Sequence, residues 1–367
     1  MNILYITRKY PPSIGGMQTQ SYYFYSNLCK YHNVKLISWG GSQYFLPFFL
    51  IFAGIRAVVY LIFSKIEIIQ LGDLVLSPLG YIFKVIFNKP VLSVSHGRDS
   101  VYKNFIYDRV ILRSAKNLNK IICVSSDLKN TLESRGFKSG QLAVIPNGVG
   151  YVPPVQTSAG YVDSLVIIRS AYGVDLTGKK IILSVSRLVA KKGINDFIED
   201  IFSDIAKSNK QVLFLVAGDG PEMGGIKDSV NTLGLKDKVF LVGYVKQNSP
   251  AYSAFFQIAD VFVMPNIKIK GDAEGFGIAA LEAGIRGIPV VAYSVDGITE
   301  AIQDGKNGVL VPAGDTAAFK NRLLEFLENK PLSREYGEKS KKYIQENFGW
   351  DRIVNKYTKL YSELLVP

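Results

Sequence analysis

Two glutamates eight positions apart, Glu274 and Glu282, bracket the run EGFGIAALE, and the residues between them decide what the pair can do. Gly275 and Gly277, on either side of Phe276, let main-chain amides come close to a ligand, and the following IAAL reads as a helix start, where unpaired N–H groups attract phosphate. Glu282, about one turn into that helix, is placed to accept hydrogen bonds from vicinal ribose hydroxyls, and Glu274 from hydroxyls of a sugar. An exposed loop acid followed by a helix-face acid has the same spacing; the intervening glycines and the GIPVVAYSVDGITE that follows favour the ligand. A second set lies in SVSRLVAKKGIND, where Arg187 ends an apolar run and Lys192 precedes a glycine. Two cations at a strand end can neutralise a diphosphate leaving group as its charge develops, although loop cations are more often simply solvated. In TRKYPPSIGGMQTQ, Gly15 and Gly16 precede a helical stretch and can present amides to an anion or form an ordinary strand-to-helix turn. His96 ends VLSVSHGRD, next to Gly97 and near Asp99, whereas His32 sits in a polar turn and reads as structural. No G-x-G-x-x-G follows the first strand, and AGDGPEMGG misses that spacing, which weighs against a dinucleotide oxidoreductase.

These residues need strands and helices to hold them. The runs NILYIT, NVKLISW, IEIIQLG, KPVLSVSHG, KIICVSS and LAVIPNG alternate with helical stretches, and from Lys180 the pattern restarts with KIILSVSRL, QVLFLVAGDG, KVFLVGYV, DVFVMPN, IPVVAYS and GVLVP. Strands alternating with helices predict an α/β chain with two parallel, doubly wound sheets, whose ligands bind outside the carboxyl ends of the strands. The expected organisation is one Rossmann-like domain over 1–160 and a second over 161–345. Residues 346–367 are expected to form a helix that packs back on the first domain. The Gly-, Pro-, Ser- and Tyr-rich stretch 150–178 is expected to hold the linker.

With its Glu-x7-Glu element, its Arg187 and Lys192 pair and its glycine loop, the chain resembles family 4 of the retaining glycosyltransferases over most of its length. The resemblance implies the GT-B fold, two Rossmann-like domains facing a central cleft, with 1–160 as the acceptor-binding domain and 161–345 as the donor-nucleotide-binding domain. It implies that Glu282 holds the nucleotide ribose, Glu274 the transferred sugar, and the amides of Gly275, Phe276, Gly277 and Ile278 the diphosphate and sugar. Arg187 and Lys192 would bind the donor phosphates, the Gly15-Gly16 loop would face donor phosphate or acceptor, and His96 would contact the donor sugar. Asn147 and Gly148 in VIPNGV and Gly297 and Glu300 in VDGITE match further positions, but Asp296 replaces the first glycine of the commoner double-glycine version. Transfer with retention and without metal or other cofactor is implied. The style of PNIKIKGDAEGFG and PPSIGGMQ, similar to the phosphatidylinositol-mannoside mannosyltransferases and to capsule and O-antigen enzymes, leans the donor towards GDP-mannose, with UDP-hexoses open. A lipid-linked or saccharide acceptor in cell-surface polysaccharide or glycolipid synthesis is expected. A sugar-nucleotide epimerase of the same architecture and a non-catalytic membrane-associated binder remain alternatives.

Charge and composition narrow the partners. At 367 residues, 48% hydrophobic and 20% charged, the chain is long enough for two cores. Residues 1–150 hold 17 Lys and Arg against 6 Asp and Glu, a net +11 of the whole chain's +12. No helix-turn-helix, zinc or RNA-sheet signature accompanies that charge, so an anionic membrane surface is expected as partner rather than nucleic acid. The run Tyr44 to Phe63 is apolar enough to span a bilayer, yet it falls between two strands and is interrupted by Pro47, Gly54 and Arg56, so it is expected to lie on the interface or pack as a domain helix. The opening MNILYIT has no secretory pattern, and Cys29 and Cys123 read as inert core thiols. The expected location is cytoplasmic, peripheral on the inner face of the cell membrane.

Overall fold

Strands whose residues are apolar without alternation belong in a sheet covered on both faces, and β1 (Asn2–Thr7) is one: Ile3, Leu4, Tyr5 and Ile6 are all buried. The structure is a computed structural model that describes residues 1–97, 102, 104–150, 158–247, 249–272 and 274–366. Two compact units divide the chain, one comprising 1–150, 271–276 and 348–367, the other 151–270 and 277–347.

In the first unit β1, β2 (Asn33–Ser38), β3 (Ile68–Leu71), β4 (Val91–Ser95), β5 (Lys120–Cys123) and β6 (Leu142–Val144) form a parallel sheet in the order β2-β1-β3-β4-β5-β6. The chain moves one way across the sheet from β1 to β2, through α1 (Gly16–Leu28), and the other way afterwards, through α2 (Leu46–Phe63) and α3 (Ser77–Phe87). Right-handed crossovers therefore put α1 on one face of the sheet and α2 and α3 on the other. The helix Trp350–Leu365 packs against α1 and buries Trp350, Ile353, Val354, Tyr357, Leu360 and Tyr361. Two polar contacts fix it: the Tyr361 hydroxyl donates to Oε1 of the buried Gln70 at 2.9 Å, and His32 Nε2 lies 2.7 Å from Thr358 Oγ1.

The second unit repeats the plan with β7 (Lys180–Val185), β8 (Val212–Ala217), β9 (Val239–Gly243), β10 (Val261–Met264), β11 (Val290–Tyr293) and β12 (Val309–Val311), ordered β12-β11-β10-β7-β8-β9. Its ladders are parallel too, and Phe197, Phe202, Phe214 and Phe319 knit its core, with ring centroids 5.0–5.8 Å apart. In each sheet the direction of winding reverses once, between β1 and β3 in the first and between β7 and β10 in the second.

Three details differ from the sequence expectations. The stretch expected to hold the linker contains the helix Ser158–Tyr172, which packs against the helix Pro250–Ile258; its Ile168 is buried, and Ser164 Oγ lies 3.2 Å from Gln257 Oε1. The last helix, expected to begin at residue 346, begins at Trp350, where Gly349 separates it from the preceding helix Lys330–Phe348. Cys123 is buried as expected, but Cys29 is exposed, because it follows the last turn of α1 where the chain leaves the helix for β2.

Candidate functional site

In the second unit the winding reverses between β7 and β10, where an open parallel sheet leaves a crevice for a ligand. The loop after β7 brings Ser186 and the exposed Arg187, then the turn Ala190–Lys192. Glycines hold this loop by main-chain contact. Gly193 has φ 60°, and a Cβ there would stand 2.0 Å from the Pro265 carbonyl oxygen just after β10. Ile267 N–H donates to the Lys191 carbonyl at 2.9 Å across the same seam. On the other side the AGDG loop after β8 lies against the β7 loop: a Cβ at Gly218 would meet Ser186 O at 1.7 Å, and one at Gly220 would meet Leu188 O at 2.2 Å. Leu188 N–H donates to Asp219 O at 3.0 Å and Glu222 N–H to Leu188 O at 3.1 Å. Arg187 and Lys192 thus extend from a backbone clamped on both sides.

After β10 comes the short helix Ile278–Gly284, with Gly277 at its N-cap and Glu282 on its fifth residue. Glu282 is half-buried, and its carboxylate is engaged twice: the Tyr252 hydroxyl donates to Oε2 at 2.6 Å and Gln247 Nε2 to Oε1 at 2.5 Å. Tyr252 reaches it from a helix that Ser249 caps, its Oγ accepting from Tyr252 N–H at 3.1 Å, with Pro250 at the first helical position. Desolvation pushes the Glu282 carboxyl up from its ordinary value, against the pull of the Tyr252 hydrogen bond, the Arg286 charge and the Gln247 hydrogen bond. Arg286 is held in turn by donating to the Glu282 carbonyl at 2.6 Å and by lying 4.7 Å from the Phe256 ring centre. A carboxylate offers about four acceptor positions. Two are occupied, and one on each oxygen remains for a neighbouring pair of hydroxyls. Tyr252 and Gln247 were invisible as site residues in sequence because they lie 30 and 35 positions from their partner. The cap Ser249-Pro250 signalled a helix but not what it faces.

The departure at Asp296 has a structural counterpart. This residue follows β11 with φ 43°, a left-handed conformation that glycine adopts freely and Asp tolerates at a cost. Gly297 N-caps the helix Ile298–Ala301, in which Glu300 is half-buried. Among the described residues no three His, Cys, Asp or Glu side chains group as metal ligands.

Glu274, Gly275 and Phe276 belong with the first unit, and Gly277, Ile278 and Glu282 with the second. Gly275 lies against the loop after β4: a Cβ would stand 1.9 Å from the His96 carbonyl oxygen. Phe276 is buried, its ring 5.9 Å from that of Phe348, and Glu274 is half-buried. His96 follows β4, half-buried, with Nε2 2.9 Å from the Gly72 carbonyl; a carbonyl only accepts, so Nε2 carries the hydrogen. Asp99 lies outside the described residues. Gly15, at φ 148°, is the N-cap of α1, while Gly16 begins the helix, and a Cβ added there would meet nothing within 4 Å. Beside His96 a pocket opens, lined by Gln20, Gly72, Asn147, Gly148 and Trp350. Gln20 Nε2 donates to Gly148 O at 3.0 Å, leaving Gln20 Oε1 and Trp350 Nε1 buried with no protein partner. An unmet acceptor and an unmet donor in one pocket suit a hydroxyl, which can serve both.

Known proteins carry the same plan. A family model described as Glycosyltransferase Family 4 matches residues 14–150, and one described as Glycosyl transferases group 1 matches residues 173–343. The chain is 28% identical over 269 residues to N-acetyl-alpha-D-glucosaminyl L-malate synthase of Bacillus anthracis, spanning 70% of this chain and 66% of that protein. It is 24% identical over 375 residues to the GDP-mannose-dependent alpha-(1-6)-phosphatidylinositol monomannoside mannosyltransferase of Mycolicibacterium smegmatis, spanning 95% of each. The crystal structure of HepE from Anabaena in complex with UDP-glucose has a TM-score of 0.78 at 18% identity, covering 99% of this chain and 100% of that one. With one model matching each half and two six-stranded parallel sheets behind them, the chain belongs to the family 4 glycosyltransferases and has the GT-B fold.

Proposed function

We propose that the protein transfers a sugar from a nucleotide-sugar donor to a lipid-linked or saccharide acceptor, with retention at the anomeric carbon and without a metal ion, in the synthesis of cell-surface polysaccharide or glycolipid. The observation that carries the donor side is the Glu282 carboxylate, with one acceptor position left on each oxygen, on the loop-and-helix segment that follows β10. A ribose diol fits that pattern. The loop after the neighbouring strand β7 supplies Arg187 and Lys192 for the diphosphate, so the leaving group's charge is met by cations, as a divalent ion would meet it elsewhere.

In the proposed step a phosphate oxygen of the donor takes the acceptor hydroxyl's proton. The bond from the anomeric carbon to the diphosphate breaks while the new glycosidic bond forms on the same face, and the nucleoside diphosphate leaves with the proton. The protein positions and polarises. Glu274 would hold sugar hydroxyls, and His96, its ring fixed by Gly72 O, would contact the sugar. The first unit's pocket, with its unmet Gln20 and Trp350 atoms, would receive acceptor hydroxyls.

GDP-mannose is the first donor to test, in keeping with the Mycolicibacterium relative that uses it, and UDP-glucose the second, since HepE was solved with it. A thermal-shift screen across sugar nucleotides identifies the donor, because a ligand that binds only the folded state raises its melting temperature. With that donor, Glu282→Ala is expected to abolish calorimetric binding; near-normal affinity would sink the assignment. Transfer persisting in excess chelator, and an anomer in the product matching the donor's, would test the two finer claims.

A further inference from the structure

On the face of the first sheet that carries α2 and α3, the outward surface is apolar across three adjacent elements. The helix α2 has mean hydropathy 2.2 with only 22% of its length buried. It sets a single stripe, Phe49, Ala53, Ala57 and Leu61, onto the sheet, and turns Phe48, Phe52, Ile55 and Ile62 outward, all but Phe52 more than half exposed. Beside it α3 buries Gly80 and Phe83 and exposes Ile82, Val85 and Ile86. The helical stretch next to α3, Tyr107–Leu112 continuing as Arg113–Ala115, is preceded by the exposed Phe105 and Ile106. A contiguous exposed apolar surface spread over several elements marks an interaction site.

The occupant follows from charge. Neither α2 nor α3 contains Asp or Glu. Arg56, Lys65, Arg109 and Arg113 are exposed on or beside the three elements, and the exposed Asp108 among them is neutralised by Arg135. The +11 of residues 1–150 repels a second copy of the same face and attracts an anionic one. Spanning is excluded by topology. The ends of α2 lead to β2 and β3, which both pair with β1, so all three strands stay on one side of any membrane. A face that is apolar in the middle and cationic around it fits the headgroup and upper acyl region of an anionic bilayer.

We infer that α2, α3 and the segment from Phe105 to Arg113 form one continuous docking face by which the protein lies on an anionic phospholipid bilayer, such as the inner face of a cell membrane. This is independent of the transfer reaction and of the donor. Each element contributes apolar side chains that enter the interface, and the cations supply a salt-sensitive attraction.

The test is flotation of the full chain with vesicles of phosphatidylcholine alone or with phosphatidylglycerol, at low salt and at high salt. The expected result is retention on the anionic vesicles at low salt, reduced at least tenfold by high salt or by omitting phosphatidylglycerol. Phe52→Ser on α2, Ile86→Ser on α3 and Ile106→Ser should each lower retention severalfold, with unchanged melting temperature and unchanged donor binding. No retention on anionic vesicles at low salt overturns the inference. So does equal, salt-insensitive retention on neutral vesicles, or sensitivity confined to the α2 variant. A concentration-dependent dimer that the same variants dissociate, without vesicle retention, would assign the face to a second copy instead.

Discussion

In the free protein Glu282 sits where desolvation favours the neutral acid, whereas the ribose diol proposed as its ligand would be gripped by the carboxylate. The raised value makes a signed prediction. A carboxyl whose folded-state pKa lies above its unfolded value contributes stability fully below the ordinary carboxylate range, and loses it as pH rises through the folded value. Glu282→Gln removes that loss. Its melting temperature should exceed the wild type's at neutral pH, by a margin that shrinks towards pH 4, while donor binding is lost. Parallel melting curves across that range would contradict the account. Tyr252→Phe tests the partner. It deletes the 2.6 Å hydrogen bond that counters desolvation, so the carboxyl should rise further and the acid limb of donor affinity should move to higher pH. Steady-state kinetics should show the donor KM rising about tenfold, equivalent to ~1.4 kcal/mol, with kcat little changed. A fall in kcat with KM intact would mean that Tyr252 touches the transition state instead.

The elements were legible where local pattern and tertiary role agree. The twelve strands among the described residues all appear in the sequence as short runs ended by turn residues, and the inner ones, covered on both faces, have no polar alternation to confuse with a helix. The helix Ser158–Tyr172 was not legible, since its Gly160 and Ser residues suggest a loop, while its packing on the helix Pro250–Ile258 and in the second unit's core favours the helix. Arg187 and Lys192 could be placed at a strand end from sequence, but not the seams that hold their loop. Those seams predict different outcomes at two glycines. Gly193→Ala should cost roughly 2–4 kcal/mol, combining a left-handed backbone with a collision against Pro265 O. Gly16→Ala, which meets nothing within 4 Å at the start of α1, should change stability by about 0.5 kcal/mol or less. Urea denaturation of both variants measures the contrast.

Over the whole molecule, chain order and unit membership part company. The last helix belongs to the first unit, which owns six of its buried side chains and its bonds to Gln70 and His32. Each such side chain contributes roughly 1.5–3 kcal/mol on burial, and a domain's entire stability is about 5–15 kcal/mol. A chain ending at Phe348 should therefore leave the first unit unfolded while residues 180–320 keep their amide protection. Hydrogen exchange read by mass spectrometry would show it, and protection retained in β1 and β3 would refute it. The glycine seams of the second unit have another consequence, for how such a chain can vary. Where a carbonyl rests on a glycine, a loop's position does not depend on which side chains it carries. Residues 189 and 190 are then open to be randomised as a library around fixed Gly193, Gly218 and Gly220, changing the outer surface of the loop on an undisturbed frame.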